Sequence, residues 1–144
     1  MDTRFSSAIH TLIMIAGSDA PLTSEIIARS VGTNASYIRR LTGLLKKNGI
    51  IESHRGIGGF SLLQRPEDLT LYAVYQAISD TQQVHVFDLH RNPSDACVVG
   101  RYIQPVLAEM FRGIEEQAER ELKRTTLADC IRRMQDKLGK SGCE

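Results

Sequence analysis

The 144-residue chain has no tryptophan, only four prolines, three cysteines and few aromatics, and each scarcity excludes something. With aromatics at 6% and so little proline, a helical chain is expected rather than a β sandwich of many short strands. Cys97, Cys130 and Cys143 make an odd count with no CxxC spacing, so no disulfide framework is expected and free thiols are left. No apolar run approaches the roughly 20 residues of a membrane-spanning helix. The first ten residues, MDTRFSSAIH, lack the basic-then-apolar order of a signal peptide, so a cytoplasmic protein without membrane contact is expected. Catalytic motifs are missing too. There is no HExxH, GxSxG or GxxxxGK, and Gly56-Ile57-Gly58-Gly59-Phe60-Ser61 fails GxGxxG because serine takes the last glycine's place. Cys97 and His90 lack a third member and an oxyanion hole. Neither an enzyme nor a bound cofactor or metal is expected.

What is present suits one domain with an appended helix: hydrophobic residues at 42% are enough to build a core without staples. The net charge of +1 hides an asymmetry. Residues 34–65 carry Arg39, Arg40, Lys46, Lys47, Arg55 and Arg65 against Glu52, a net +5, so the remainder sums to −4. A basic patch on an otherwise acidic chain is the footprint of a nucleic-acid binder.

Periodicity gives the order of elements. Phe5, Ile9, Leu12, Ile13 and Ala16 fall at helical spacing over 4–17, with Gly17 at the end. Thr23 caps a short helix that stops near Gly32, and Asn34 caps a second one, ASYIRRLTGLLKK, closed by Asn48-Gly49. Residues 50–53 and 60–63 read as strands joined by a glycine-rich tip, hence a β-hairpin. A further helix is expected over 68–79, a polar irregular stretch over 80–96, a long helix over 96–124, a short helix over 126–138 and a loose tail from Gly139. The expected division is a winged helix-turn-helix over 1–80, a sensor loop over 81–97, and a dimerisation helix, short helix and tail over 98–144. The fold class is mainly α with a small β-hairpin wing.

In that order of elements the helix at 35–47 enters the major groove of double-stranded DNA. Ser36 and Tyr37 carry hydroxyls suited to phosphate, and Arg39 and Arg40 carry guanidinium groups suited to guanine edges. Asn34 opens the helix beside them. On the wing, Arg55 suits a narrow minor groove, and flanking glycines, Gly58 among them, let backbone approach DNA closely. The long helix repeats Ile103, Leu107, Met110 or Phe111, Ile114, Ala118 and Leu122 every three or four residues. A helix about 40 Å long is more than a small domain can cover, and a second copy of the chain is the economical partner. A homodimer implies an inverted-repeat operator.

The segment from Thr23 to Leu62, with its S-Y-I-R-R-L and R-G-I-G-G-F blocks, resembles the IscR/CymR/NsrR family of winged-helix regulators, as do C97-V-V-G and T126-L-A-D. The resemblance implies a homodimeric bacterial transcription factor, most often a repressor, dimerised through the long helix. Cluster-binding members carry three close cysteines before that helix, and this chain has only Cys97 there. Cys97 is thus expected to sense oxidants or electrophiles: with Ser94 or Asp95 as cap it would sit in the first turn of the long helix, where unpaired N–H groups favour a thiolate. Cys143, on a Gly-Lys-Ser-Gly tether, is a candidate partner for it, while Cys130 belongs to packing. A small effector or protein signal, an iron–sulfur-dependent regulator, and a winged helix that binds protein without DNA are the alternatives the residues leave open.

Overall fold

The computed structural model describes residues 2–56 and 58–141. Six helices and one hairpin follow in order: α1 Arg4–Gly17, α2 Ser24–Val31, α3 Ala35–Lys47, β1 Ile51–Ser53, β2 Phe60–Leu62, α4 Leu71–Ser79, α5 Val98–Arg124 and α6 Leu127–Ser141. The two strands are antiparallel, with Ile51 opposite Leu62 and Ser53 opposite Phe60. The mainly helical winged architecture expected from the sequence is the one observed.

The helix starts are set by side-chain caps. Thr23 accepts from the Ile26 amide at 3.2 Å, Asn34 from Tyr37 at 2.9 Å and Thr70 from Ala73 at 3.1 Å. Each cap satisfies an amide that has no partner inside the helix. The Thr70 cap also corrects the expected start of α4 from 68 to 71. Between α2 and α3 the chain turns at Gly32, whose left-handed φ of 85° lets its amide close on the Ala28 carbonyl.

Apolar faces of these helices meet in one core. Ala8 and Leu12 of α1, Ile27 of α2, Ile38, Leu41 and Leu45 of α3, Ile50, Ile51, Leu69, and Val74 and Ala77 of α4 are all buried there. Leu127 of α6 is also wholly buried in it, and Ile131 packs against it. Thus α6 returns to the N-terminal unit, which is built from both ends of the chain rather than from residues 1–80 alone. Its entry is fixed by a capping box: the Thr126 amide donates to Asp129 at 2.8 Å and the Asp129 amide to Thr126 Oγ1 at 3.2 Å. Backbone bonds from Leu71 to the Thr125 carbonyl and from Leu127 to that of Leu69 tie the corner down. The helix continues through Gly139 to Ser141, where a loose tail was expected. One glycine in a helix costs only about 0.5–1 kcal/mol, too little to stop it.

We call this unit the head. The arm comprises the irregular segment 80–97 and α5, which is 27 residues and so about 40 Å long.

Candidate nucleic-acid interface

The amphipathic α3 turns Ile38, Leu41 and Leu45 inward, which leaves Ser36, Arg39 and Arg40 exposed on its outer face. Tyr37 is half-buried: its ring packs on the core, and the Arg40 guanidinium lies 5.8 Å over the ring centroid. Tyr37 therefore orients Arg40 as well as offering a hydroxyl. Asn34 lies beside them, but its side-chain oxygen is occupied as the helix cap. Arg39 is tied to Glu25 in the first turn of α2 at 3.4 Å.

The wing is attached to the same surface. Lys46, at the end of α3, donates to Ser53 Oγ of β1 at 2.9 Å. The His54 amide donates to the Gly59 carbonyl at 3.1 Å, and the His54 ring is hydrogen-bonded to Ser61 across the hairpin. Gly59, with φ of 90°, rests on the loop before α2. A Cβ there would lie 3.1 Å from Pro21 Cα, so this position needs glycine for conformation and for space. Gly58 has a φ of 77° in open space, and Arg55 is exposed at the tip. The residues predicted to meet DNA thus lie on α3, at its N-cap or on the wing. Lys46 as a brace and Glu25 as the partner of Arg39 escaped the sequence reading. Glu25 stands in the first turn of α2, where the helix dipole alone favours an acid, and its pairing with Arg39 depends on a contact between helices.

On the arm, Cys97 is itself the N-cap of α5, rather than Ser94 or Asp95. The reason lies at Gly100, where a Cβ would run into the Ser94 carbonyl; without one, segment 94–97 folds back over the first helical turn. The Cys97 thiol is exposed and makes no capping hydrogen bond, but the backbone amides of Gly100 and Val99 at the start of the helix draw its pKa below the ordinary thiol range. Burial pushes the Cys130 thiol up instead. Cys143 lies outside the described residues.

Ionisable groups bind segment 80–97 to α5 within the arm, and one of them, Glu119, also reaches α4 of the head. Glu115 and Glu119 of α5 are 5% and 8% exposed. Glu115 accepts from the Val86 and Phe87 amides at 3.1 and 3.3 Å. Glu119 pairs with Arg112 and lies 3.2 Å from the Tyr72 hydroxyl of α4, and Arg112 also donates to the Val84 carbonyl at 3.3 Å. Burial works to raise the pKa of Glu119, but Arg112 and Tyr72 outweigh it and hold the carboxyl below its ordinary value. His85 is bonded to Asp88 at 2.7 Å and lies 3.8 Å from Glu115; the Asp88 bond, with Glu115 adding to it against a smaller effect of burial, raises its pKa.

At about 100° per residue, Val99, Ile103, Val106, Leu107, Met110 and Ile114 share one arc of α5, opposite Glu115 and Glu119. Met110 is 58% and Ile114 51% exposed, whereas Ile103 and Leu107 are half-buried. Leu122, expected in the same stripe, falls on the side turned toward the head and is half-buried.

Comparison with known proteins agrees with this geometry. The Rrf2 family, described as iron-dependent transcriptional regulators, matches residues 1–133. The chain is 40% identical over 131 residues to YwnA of Bacillus subtilis, named as an HTH-type transcriptional regulator, covering 91% of this chain and 96% of that one. A crystal structure described as a DNA-binding protein superposes with a TM-score of 0.70 at 37% identity, over 89% of this chain and 98% of its own. CymR of B. subtilis, the global cysteine regulator, shares the fold at a TM-score of 0.69 and 20% identity, over 92% and 96% of the two chains. The family description names iron. Among the described residues no three His, Cys, Asp or Glu are grouped to hold a metal ion, and the segment before α5 offers one thiol. An iron–sulfur cluster takes four ligands, chiefly thiolates, so the described residues of one chain do not fit it. From the residue 1–133 match, the YwnA likeness and the winged fold, the chain belongs to the Rrf2 family of DNA-binding, helix-turn-helix transcriptional regulators.

Proposed function

We propose that this regulator is a cytoplasmic homodimeric repressor that reads an inverted-repeat operator and releases it when Cys97 is oxidised or alkylated. The observation that carries the reading is the coupling of two exposed cationic elements, Arg39 and Arg40 on α3 and Arg55 on the wing, through the Lys46–Ser53 brace. In this reading Ser36 and Tyr37 meet phosphate, Asn34 sets the start of α3, and Gly58 shapes the wing tip. The apolar arc of α5 through Ile103, Leu107, Met110 and Ile114 supports pairing with a second copy, with Leu122 at its margin.

The sensing step follows from the thiol's position. A thiolate at the N-cap attacks a peroxide oxygen, the O–O bond breaks, and sulfenic acid and hydroxide result. The Val99 and Gly100 amides then face a group with a different charge, at the point where segment 94–97 folds onto α5. The test is selection of duplex from a random pool, followed by binding with reduced and peroxide-treated protein. Loss of binding in the parent and its retention in Cys97→Ser supports the reading; equal loss in both rejects Cys97 as the switch. Parallel Cys143→Ser protein shows whether an inter-thiol bond accompanies the response.

One observation favours a second input. A cleft of about 490 Å³ opens between segment 81–89 and α5, lined by Val84, Phe87, Leu89, Ala108 and Phe111 with His85 at its edge. A small effector seated there would act on the same segment as the thiol.

A further inference from the structure

The Glu25–Arg39 contact asks for an explanation that stability does not supply. Glu25 is the sole acid in α2 and α3, and it stands in the first turn of α2, beside the most cationic stretch of the chain. Its Oε1 lies 3.4 Å from one terminal nitrogen of Arg39, and both side chains are more than half exposed, at 66% and 59%. An exposed pair of this kind contributes little to folding. An acid facing a polyanion also weakens binding, so its presence on this surface has to act through Arg39.

We propose that Glu25 is a positioning residue that makes Arg39 a reader of base edges instead of a binder of phosphate. The inference rests on α3 being the recognition helix. Glu25 holds Arg39 by one edge of the guanidinium, leaving the other edge for a paired contact, and guanine presents O6 and N7 in the major groove for such a contact. If Arg39 swings to a phosphate instead, Glu25 is left unpaired in the negative field of the backbone, which opposes that conformation on every sequence. Arg40 is restrained differently, by the Tyr37 ring, so the two neighbouring arginines do not share one role.

The experiment is a double-mutant cycle of Glu25→Gln, Arg39→Gln and the pair in the full chain, with melting temperature as a check on folding. Binding is measured over a salt series to two probes: a duplex selected by the parent from a random pool, and a duplex of scrambled sequence. Glu25→Gln is expected to tighten scrambled binding by about threefold to tenfold at low salt and to steepen its log–log salt slope by about one, as Arg39 gains a phosphate. The preference for the selected duplex should fall by a similar factor. In the Arg39→Gln background the added substitution should leave slope and preference unchanged. A slope change that persists in that background means Glu25 acts on DNA by itself and overturns the proposal. Unchanged preference in Glu25→Gln also overturns it, while the reading of α3 stands because the parent still selects DNA. A parent that selects no duplex defeats both.

Discussion

Leu12 and Leu41 in the head are buried among other aliphatic side chains, whereas the arm buries two carboxylates, Glu115 against its own segment 86–87 and Glu119 where α5 meets α4. The head spends its apolar residues inward. The arm turns Met110 and Ile114 to solvent, ties its two parts together with Arg112, His85 and backbone amides, and meets Tyr72 of the head through Glu119. Dispersion and apolar burial depend weakly on pH and redox state, while ion pairs depend on pH and an exposed thiol on both. Under the proposed function this division would let the surface on α3 and the wing keep its shape while the segment that carries Cys97 responds.

The contrast can be broken first in the head. Leu41→Ala removes a side chain that is 2% exposed and should destabilise the protein by about 2–5 kcal/mol in denaturant unfolding. A cost below 1 kcal/mol would mean the head is not the rigid part. Next in size is the apolar arc of α5. Met110→Asp with Ile114→Asp should turn a dimer into a folded monomer in sedimentation and cost the head less than about 1 kcal/mol, because both positions are exposed. These positions make a cleaner test than Leu107, whose half-burial would mix folding with assembly.

Arg112→Met should loosen the arm without unfolding the head. It strips Glu119 of its cationic partner and the Val84 carbonyl of a donor, so amide exchange should quicken in segment 82–89 and stay slow in α1 and α3. The smallest effect concerns pH. His85 has a raised folded-state pKa, so its stabilising contribution is complete below the ordinary histidine value near 6.5 and is lost as pH rises through the folded value. The stability difference between parent and His85→Gln should shrink on going from pH 6 to pH 8. Glu119 has the opposite sign: its lowered pKa gives a contribution present above the ordinary carboxylate range and lost only at strongly acidic pH.

The head was legible in the sequence because its signals are local. Thr23, Asn34 and Gly32 mark helix ends by their own chemistry, and Ile38, Leu41 and Leu45 betray the buried side of α3 by spacing alone. The basic patch and the hairpin tip are equally short-range. The arm's inner face was not legible. Glu115 and Glu119 break the apolar pattern that periodicity looks for, and their partners are remote: Val86 is 29 positions from Glu115 and Tyr72 is 47 from Glu119. The cap of α5 escaped for a similar reason. Ser94 and Asp95 are better capping types than cysteine, and only the close approach that Gly100 permits moves the start to Cys97. Leu122 matched the repeat in the sequence, yet a single stripe cannot distinguish two apolar faces on one long helix.

The most direct test of the division is the salt dependence of duplex binding by an Arg40→Ala, Arg55→Ala double variant. If the head alone meets DNA through α3 and the wing, this protein should melt and sediment like the parent, yet its log–log salt slope should be shallower by about two per protomer for lost phosphate or groove contacts, with weaker binding to the selected duplex. A folded variant whose slope and affinity match the parent's would contradict the account and place the DNA contact elsewhere on the chain.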